Sequence, residues 1–323
     1  MTDLEANLDC CSENNRNFIR PEVSICIPAF NCEDYLREAV QSVQRQGVDN
    51  IEIIIVDDGS TDKTSYIANH LALSDRRIRV YCQKNSGSCV ARNLAFKMAK
   101  GRYICLLDAD DIWHSGKLES QLKILENHPD AIVIGAVRRF SDGKSRNYGS
   151  LTVPFKYNSK EDYLHCLLTI PDTQKLLINT LCCRAEYIKD DPWDPRFKTG
   201  HDWEVWIRLA YKYEFIHVEE VFQYYRKHPA STTKNNRLRL TADCQLDVLN
   251  VHGPRILSCR NELDQLKASL VLSFVNHAVY AKSRTDALYL LWKAFKYKAW
   301  LNSRSFYRLL ILSLIIPFRP TFL

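Results

Sequence analysis

Through the first third of the chain, short apolar runs alternate with amphipathic stretches. Val23-Ser24-Ile25-Cys26-Ile27, Ile51 to Val56, Ile78 to Cys82 and Tyr103 to Leu107 are predominantly apolar. Runs of this length predict strands buried on both faces, as in a parallel sheet. Pro28 has no N–H to give a ladder and is expected to stop the first strand. Asn31 fits an N-cap, and Leu36, Val40 and Val43 then lie at helical spacing, with Gly47 closing the helix. Ser60 or Thr61 can cap a second helix running to about Leu73. A third, from about Cys89 to Ala99, carries Arg92 in its first turn and ends at Gly101. The order is β-α-β-α-β-α-β, and crossovers of this length make the strands parallel and right-handed, with helices on both faces.

Beyond residue 113 the alternation loosens. A helix from about Ser115 to Asn127 leads to a strand at Ala131 to Val137, and Arg138 to Tyr148 reads as a polar hairpin or excursion. Ser159-Lys160-Glu161-Asp162 is a capping box ahead of a short helix. Leu176 to Cys182 reads as a strand, and Val205, Trp206, Leu209 and Ala210 give a helix an apolar side. From about Leu238 the pattern is helical to the end. The expected organisation is a flexible tail over 1–21, an α/β domain over 22–232 with halves 22–113 and 114–232, and a helical extension over 233–323.

Composition changes this picture little. The 323 residues are 46% hydrophobic and 25% charged, an ordinary globular balance, and the net charge of +6 does not by itself argue for nucleic acid. The twelve cysteines are scattered, with no C-x-x-C and no zinc spacing. The polar first twenty residues carry no apolar signal core, so the expected setting is a reducing cytoplasm.

The chemistry gathers at strand ends. Asp108, Asp110 and Asp111 follow the fourth strand, and alternation along extended chain lets Asp108 and Asp110 point to one spot. Carboxylates that close repel unless a cation lies between them, and a hard divalent ion, Mg2+ or Mn2+, is the natural partner. An acidic turn capping the next helix is the plainer reading of the same residues. Asp57 and Asp58 end the second strand, and ligands of open α/β sheets bind outside these carboxyl ends. No G-x-G-x-x-G follows the first strand and no P-loop occurs, so phosphate is not held by a backbone cradle. A metal on Asp110 could manage a diphosphate instead. Asp58 could accept a base N–H, and Arg92 could reach a base edge or a phosphate. Asp202, near the start of a helix, is either an N-cap or a reacting carboxylate.

Five segments together resemble one family: VSICIPAFNCEDYLREAVQSV, IEIIIVDDGSTDKT, NSGSCVARNLAFKMAKGRYICLLDADDIW, GHDWEVWIRLA and YRKHPAST. They look like a family 2 inverting glycosyltransferase of the bacterial cell-surface polysaccharide type. The resemblance covers roughly residues 22–232. It implies a GT-A fold, a Rossmann-like, mostly parallel sheet flanked by helices, and transfer of a sugar from a nucleoside-diphosphate donor, usually a UDP-sugar. By the same resemblance Pro28, Phe30 and Asp58 line the nucleoside pocket with Arg92 beside it. Asp108 faces the ribose, Asp110 ligates Mn2+ or Mg2+, and His228 stands where some relatives place a further ligand. Asp202 matches the general base, and His201 replaces the Glu that usually precedes it. Such a base takes the proton of an acceptor hydroxyl that attacks in one inverting displacement. Trp193, Phe197, Trp203 and Trp206 are candidates for an aromatic acceptor face; core packing is the alternative, above all for Trp206, which lies on the apolar side with Val205 and Leu209.

Residues 284–323 interleave Lys293, Lys296, Lys298, Arg304 and Arg308 with aromatic and aliphatic residues and end in LLILSLIIPF. Ten apolar residues do not span a bilayer, but a basic aromatic tail suits an interfacial helix on the inner face of the plasma membrane. Packing on the domain or on a second subunit is the alternative. The expected acceptor is a glycan or polyprenyl-linked glycan. Two other functions are weighed. A nucleotidyltransferase calls for a Gly-rich loop that the chain lacks. A non-catalytic sugar-nucleotide scaffold predicts loss of Asp110 or Asp202, and both are present.

Overall fold

The computed structural model describes residues 20–297, apart from 142–145, 170–175, 191, 229–237, 258 and 282, together with 306, 307, 309, 310 and 313. All but the last two residues of the expected tail over 1–21, and most of the final apolar run, lie outside the described residues.

The leading half follows the predicted alternation. β1 (Val23–Ala29), β2 (Ile51–Asp57), β3 (Ile78–Cys82) and β4 (Tyr103–Leu106) are separated by α1 (Leu36–Gln44), α2 (Thr64–Ser74) and α3 (Ser88–Met98). They pair in parallel in the order β3-β2-β1-β4. β1 runs through Pro28, which pairs with Val56, so the expected stop comes late. A proline costs a ladder only its own donor, and the neighbouring residues keep theirs. Asn31 is no N-cap. It takes the left-handed conformation at φ 46°, and its side chain accepts the Thr61 N–H at 2.8 Å, tying the β1 and β2 exits together.

The sheet continues in mixed sense through β8 (Cys182–Arg184), β6 (Ile132–Ser141), β9 (Phe215–Lys227) and β5 (Ile112–Trp113), with β7 (Asn147–Thr152) on β6. The polar excursion is therefore the β6–β7 hairpin. Residues Leu176–Thr180 form a 3-10 turn, and only Cys182–Arg184 are strand. That segment is apolar because it is buried, and burial alone does not choose between turn and strand. The remaining helices are α4 (Lys117–Asn127), α5 (Lys160–Thr169), α6 (Ala185–Lys189), α7 (His201–Lys212), α8 (Leu238–Ile256), α9 (Arg260–Tyr280) and α10 (Arg284–Lys296).

Period-two alternation divides the strands between two cores. Cys26, Ile54, Val56, Ile104 and Leu106 face the side covered by α3, α5 and α7, whereas Ile25, Ile27, Ile53, Ile55, Cys105 and Leu107 face α1, α2 and α4. The extension has a core of its own, from Ala242 and Leu246 to Leu290 and Leu291, yet α8 also lends Val248 and Leu249 to the larger core. It is thereby bound into the domain. Glu204 of α7, buried, pairs with Arg208 at 3.1 Å and with His252 of α8 at 3.2 Å.

Candidate active site

The exits of β1, β2 and β3 form the first wall. Phe30, just past β1, is 47% exposed and presents a ring to solvent. Pro28 is buried within β1 and offers no open surface. Asp58 is buried, its Oδ1 accepting Gln83 Nε2 at 2.7 Å and the Ser86 N–H at 2.8 Å, its Oδ2 the Gly87 N–H at 2.8 Å. The carboxylate thus organises the turn after β3, and one of its roughly four acceptor directions remains for a ligand N–H. Gly59 is needed here. Its φ is 71°, and a Cβ would stand 2.7 Å from the Asn85 nitrogen.

The centre of the site is Arg92, at the start of the second turn of α3 and 5% exposed. Its guanidinium is engaged by protein groups on both terminal nitrogens. Its Nη2 donates to Asp108 Oδ1 at 2.6 Å and its Nη1 to Asp202 Oδ1 at 3.0 Å. Nη1 also lies 2.9 Å from His201 Nε2. A guanidinium only donates, so that ring nitrogen accepts. Burial opposes the Arg92 charge, and the two carboxylates outweigh it and raise its pKa. Asp108 is completed by Asn179 Nδ2, 3.1 Å from its Oδ2. Burial raises its pKa, Arg92 opposes that, and the charges of Asp110 and Asp202 push the same way as burial.

Asp202 is the second residue of α7. Gly200 precedes the helix at φ 73°, and no side chain caps the N-terminus, so Asp202 is no N-cap. Its Oδ1 also accepts the indole N–H of Trp193 at 2.7 Å. Among the described residues Oδ2 has no hydrogen-bond partner, and the side chain is 27% exposed. Burial pushes the carboxyl up, but Arg92, His201 and the Trp193 N–H together hold it below the ordinary carboxylate value. Trp193 is pinned in turn by Asn93, which accepts its backbone N–H at 3.0 Å and donates to its carbonyl at 2.7 Å. Arg92 and Asn93, adjacent on α3, therefore set both donors to Asp202. Asn93 and Asn179 are invisible to sequence reasoning, because nothing in a lone Asn reports a partner 100 or 71 residues away.

The four candidate acceptor aromatics do not form an open face. Trp193, Trp203 and Trp206 are at most 1% exposed and Phe197 is 7%. The indole N–H groups of Trp203 and Trp206 are satisfied internally, by the Leu167 carbonyl and the Tyr163 hydroxyl. Their large apolar area belongs to the core.

The third cluster joins the β4 exit to β9. Asp110 is 34% exposed, and its Oδ2 lies 2.9 Å from His228 Nε2. Asp111, buried, accepts the Arg226 N–H at 2.9 Å and Gln223 Nε2 at 2.5 Å, which locks the turn onto β9. Burial raises its pKa well above normal, as do Asp110 and Asp108. Asp111 is thus the structural member of the triplet. Asp108 spends both oxygens on Arg92 and Asn179, leaving Asp110, partly exposed, and the largely buried His228 as the pair that could hold a metal. Among the described residues no group of three or more His, Cys, Asp or Glu could hold a metal. The pair fits a divalent ion that takes its remaining oxygens from a diphosphate and water, the usual arrangement for Mg2+ in phosphate sites.

Comparison with known proteins identifies the family and the fold. The sequence model described as Glycosyl transferase family 2 matches residues 24–183. An uncharacterized glycosyltransferase of Rickettsia prowazekii is 32% identical over 226 residues, 68% of each chain. The UDP-Glc:alpha-D-GlcNAc-diphosphoundecaprenol beta-1,3-glucosyltransferase WfaP of Escherichia coli is 36% identical over 175 residues, 44% of this chain and 67% of WfaP. The putative teichuronic acid biosynthesis glycosyltransferase TuaG of Bacillus subtilis is 46% identical over 107 residues. With TuaG and the uncharacterized glycosyltransferases of Rickettsia felis and Haemophilus influenzae the match spans 42%, 30% and 44% of the relative, less than half of each. In fold the chain resembles S. aureus TarS 1-349, with a TM-score of 0.59 at 19% identity over 85% of this chain and 80% of TarS. The fold is GT-A, and the chain belongs to glycosyl transferase family 2.

Proposed function

We propose that the protein is a metal-dependent inverting glycosyltransferase that moves a sugar from a UDP-sugar to a hydroxyl of a glycan or polyprenyl-linked glycan. The observation that carries this reading is the Arg92 bridge. One buried guanidinium holds the donor-side carboxylate of Asp108 and the carboxylate of Asp202 about a single head group. Oδ1 of Asp202 is spent on Arg92 and Trp193, so Oδ2 is the oxygen that takes the acceptor proton. Its low pKa keeps it ionised and ready to accept through neutral pH. Phe30 stacks the base, Asp58 accepts its N–H, and Asp110 with His228 holds Mn2+ or Mg2+. When bound, that ion offsets charge growing on the diphosphate. The UDP-GlcNAc complex of TarS and the UDP-Glc donor and diphosphoundecaprenol-linked acceptor in the name of WfaP support the donor and acceptor classes.

A panel of UDP-, GDP- and dTDP-sugars with Mn2+ tests the reading through release of free nucleotide. Release from a UDP-sugar, abolished by chelator and by Asp110→Asn, is expected. Asp202→Asn should keep donor binding and lose about 10²–10⁴ in transfer rate. A protein that binds UDP without any need for metal and releases nothing, even with a lipid-linked acceptor supplied, would be the non-catalytic scaffold instead.

The reading extends to a membrane surface. α10 buries Ala287, Leu290, Leu291 and Ala294 and turns Leu288, Trp292 and Phe295 outward, 37%, 61% and 59% exposed, with Lys296 beside the Trp292 ring. No helix among the described residues is long and apolar enough to cross a membrane. An aromatic stripe with basic neighbours suits an anionic lipid surface. Cosedimentation with phosphatidylglycerol vesicles, lost in Trp292→Ser/Phe295→Ser, is the expected result. Equal sedimentation of the double variant would refute it.

A further inference from the structure

The β6–β7 hairpin is conspicuous in the sequence and has no part in the chemistry above. It carries a patch of exposed apolar side chains, with Tyr148 at 48%, Leu151 at 44% and Val153 at 42%. The Tyr148 ring lies 5.4 Å from that of Tyr224 on β9, and Tyr224 lies 5.7 Å from His114. Phe140, buried, stands beneath at 6.2 and 6.4 Å from the two tyrosines. The rings thus form one supported platform across three neighbouring strands, not a scatter of surface aromatics.

Two features say what lies on it. The first is continuity with the reaction centre. Tyr224 and Arg226 share one face of β9 and His228 follows directly after its end, so the platform begins four residues, roughly 13 Å of extended chain, from the Asp110–His228 pair. Arg226 packs on Phe140 at 4.7 Å and bonds the Asp110 carbonyl, so one side chain touches both places. The second is charge. Arg226 and Arg146 both bond the single carboxylate of Glu38. Arg138, paired across the ladder with both Leu151 and Tyr224, has no carboxylate partner among the described residues.

We propose that this platform is a binding subsite for an anionic glycan chain, with a pyranose face stacked on Tyr148 and Tyr224 and a sugar carboxylate or phosphate on Arg138. Sugar rings present an apolar C–H face and a polar rim, which matches aromatic rings bordered by guanidinium groups. The subsite would hold the acceptor chain away from its reacting end. In that role it rests on the transfer reading, but binding itself needs neither donor nor metal.

Titration calorimetry with hexagalacturonate and with cellohexaose, both without nucleotide, tests the subsite. The wild-type protein should bind the acidic oligosaccharide more tightly than the neutral one. Tyr148→Ala should weaken both by about tenfold, whereas Tyr148→Phe, which keeps the ring, should bind as wild type. Arg138→Gln should bring hexagalacturonate down to the affinity of cellohexaose and leave cellohexaose unchanged. Melting temperatures within a degree or so of wild type exclude misfolding of these surface variants. Unchanged binding in Tyr148→Ala, or no binding of either probe by the wild-type protein, overturns the proposal. Nucleotide release by the wild-type protein, measured in parallel, reports separately on the transfer reading.

Discussion

Arg92→Met removes the cation on which two carboxylates depend and replaces it with an apolar chain of similar length. Breaking a buried, bonded charge pair by deleting one partner costs about 3–5 kcal/mol. Asp108 and Asp202 are 25% and 27% exposed, so solvent screening places the loss near the lower end, about 3 kcal/mol. With an unfolding entropy of about 2.1 cal/mol/K per residue, that lowers the Tm of this 323-residue chain by roughly 4–5 °C. The loss should depend on pH. In the native protein Asp202 is held below its ordinary value. Its stabilising contribution is therefore present above the unfolded value of about 3.9 and disappears as pH falls through the lower folded value. Asp108 has the opposite sign, since its raised pKa means that ionisation costs stability and protonation relieves the cost. Without Arg92 both carboxylates lose their cation and repel each other, so both titrate upward. The deficit relative to wild type should be largest at about pH 8 and shrink by about pH 4.5. Thermal melts followed by circular dichroism at the two values measure it. An equal Tm loss at both would mean that Arg92 contributes packing alone and would sink the electrostatic account.

Trp193→Phe deletes one of the groups holding the Asp202 carboxyl down, so the acid limb of the rate–pH profile should move to higher pH while the neutral-pH rate changes little. An unmoved limb would show that the indole N–H does not tune the base. Asp110→Asn and His228→Ala should each weaken Mn2+-dependent UDP binding at least about tenfold, and the double variant should be little worse than either, because the two groups act as one pair. Full additivity in calorimetry would place them in separate sites. Gly135→Ala puts a methyl group 2.2 Å from the Phe222 ring and should destabilise by about 1–3 kcal/mol in urea melts. Wild-type stability there would mean that the β6–β9 packing is looser than the coordinates describe.

The sequence by itself determined the parallel half of the sheet. Val23 to Leu107 is local pattern throughout: each strand is a short apolar run, each crossover helix has its own face, and Gly47 and Gly101 follow the first and third, so period and punctuation suffice. It also placed Asp58, Asp108 and Asp110 at strand ends, because sheet topology alone carries those ends to one side. Tertiary structure decided what each residue does there. Asp108, Asp110 and Asp111 lie within four consecutive positions, yet one is bound by Arg92, one faces His228 and one is buried on β9; only partners more than a hundred residues away distinguish the last two. The same holds for Arg92, read as a ligand contact and found as a bridge, and for Trp193, read as an open sugar face and found buried as a donor to Asp202. Periodicity reports which side of an element is apolar. Whether that side meets solvent, a substrate or another strand depends on long-range packing, and Tyr148 of the β6–β7 hairpin became legible as part of a platform only once Tyr224 of β9 lay beside it.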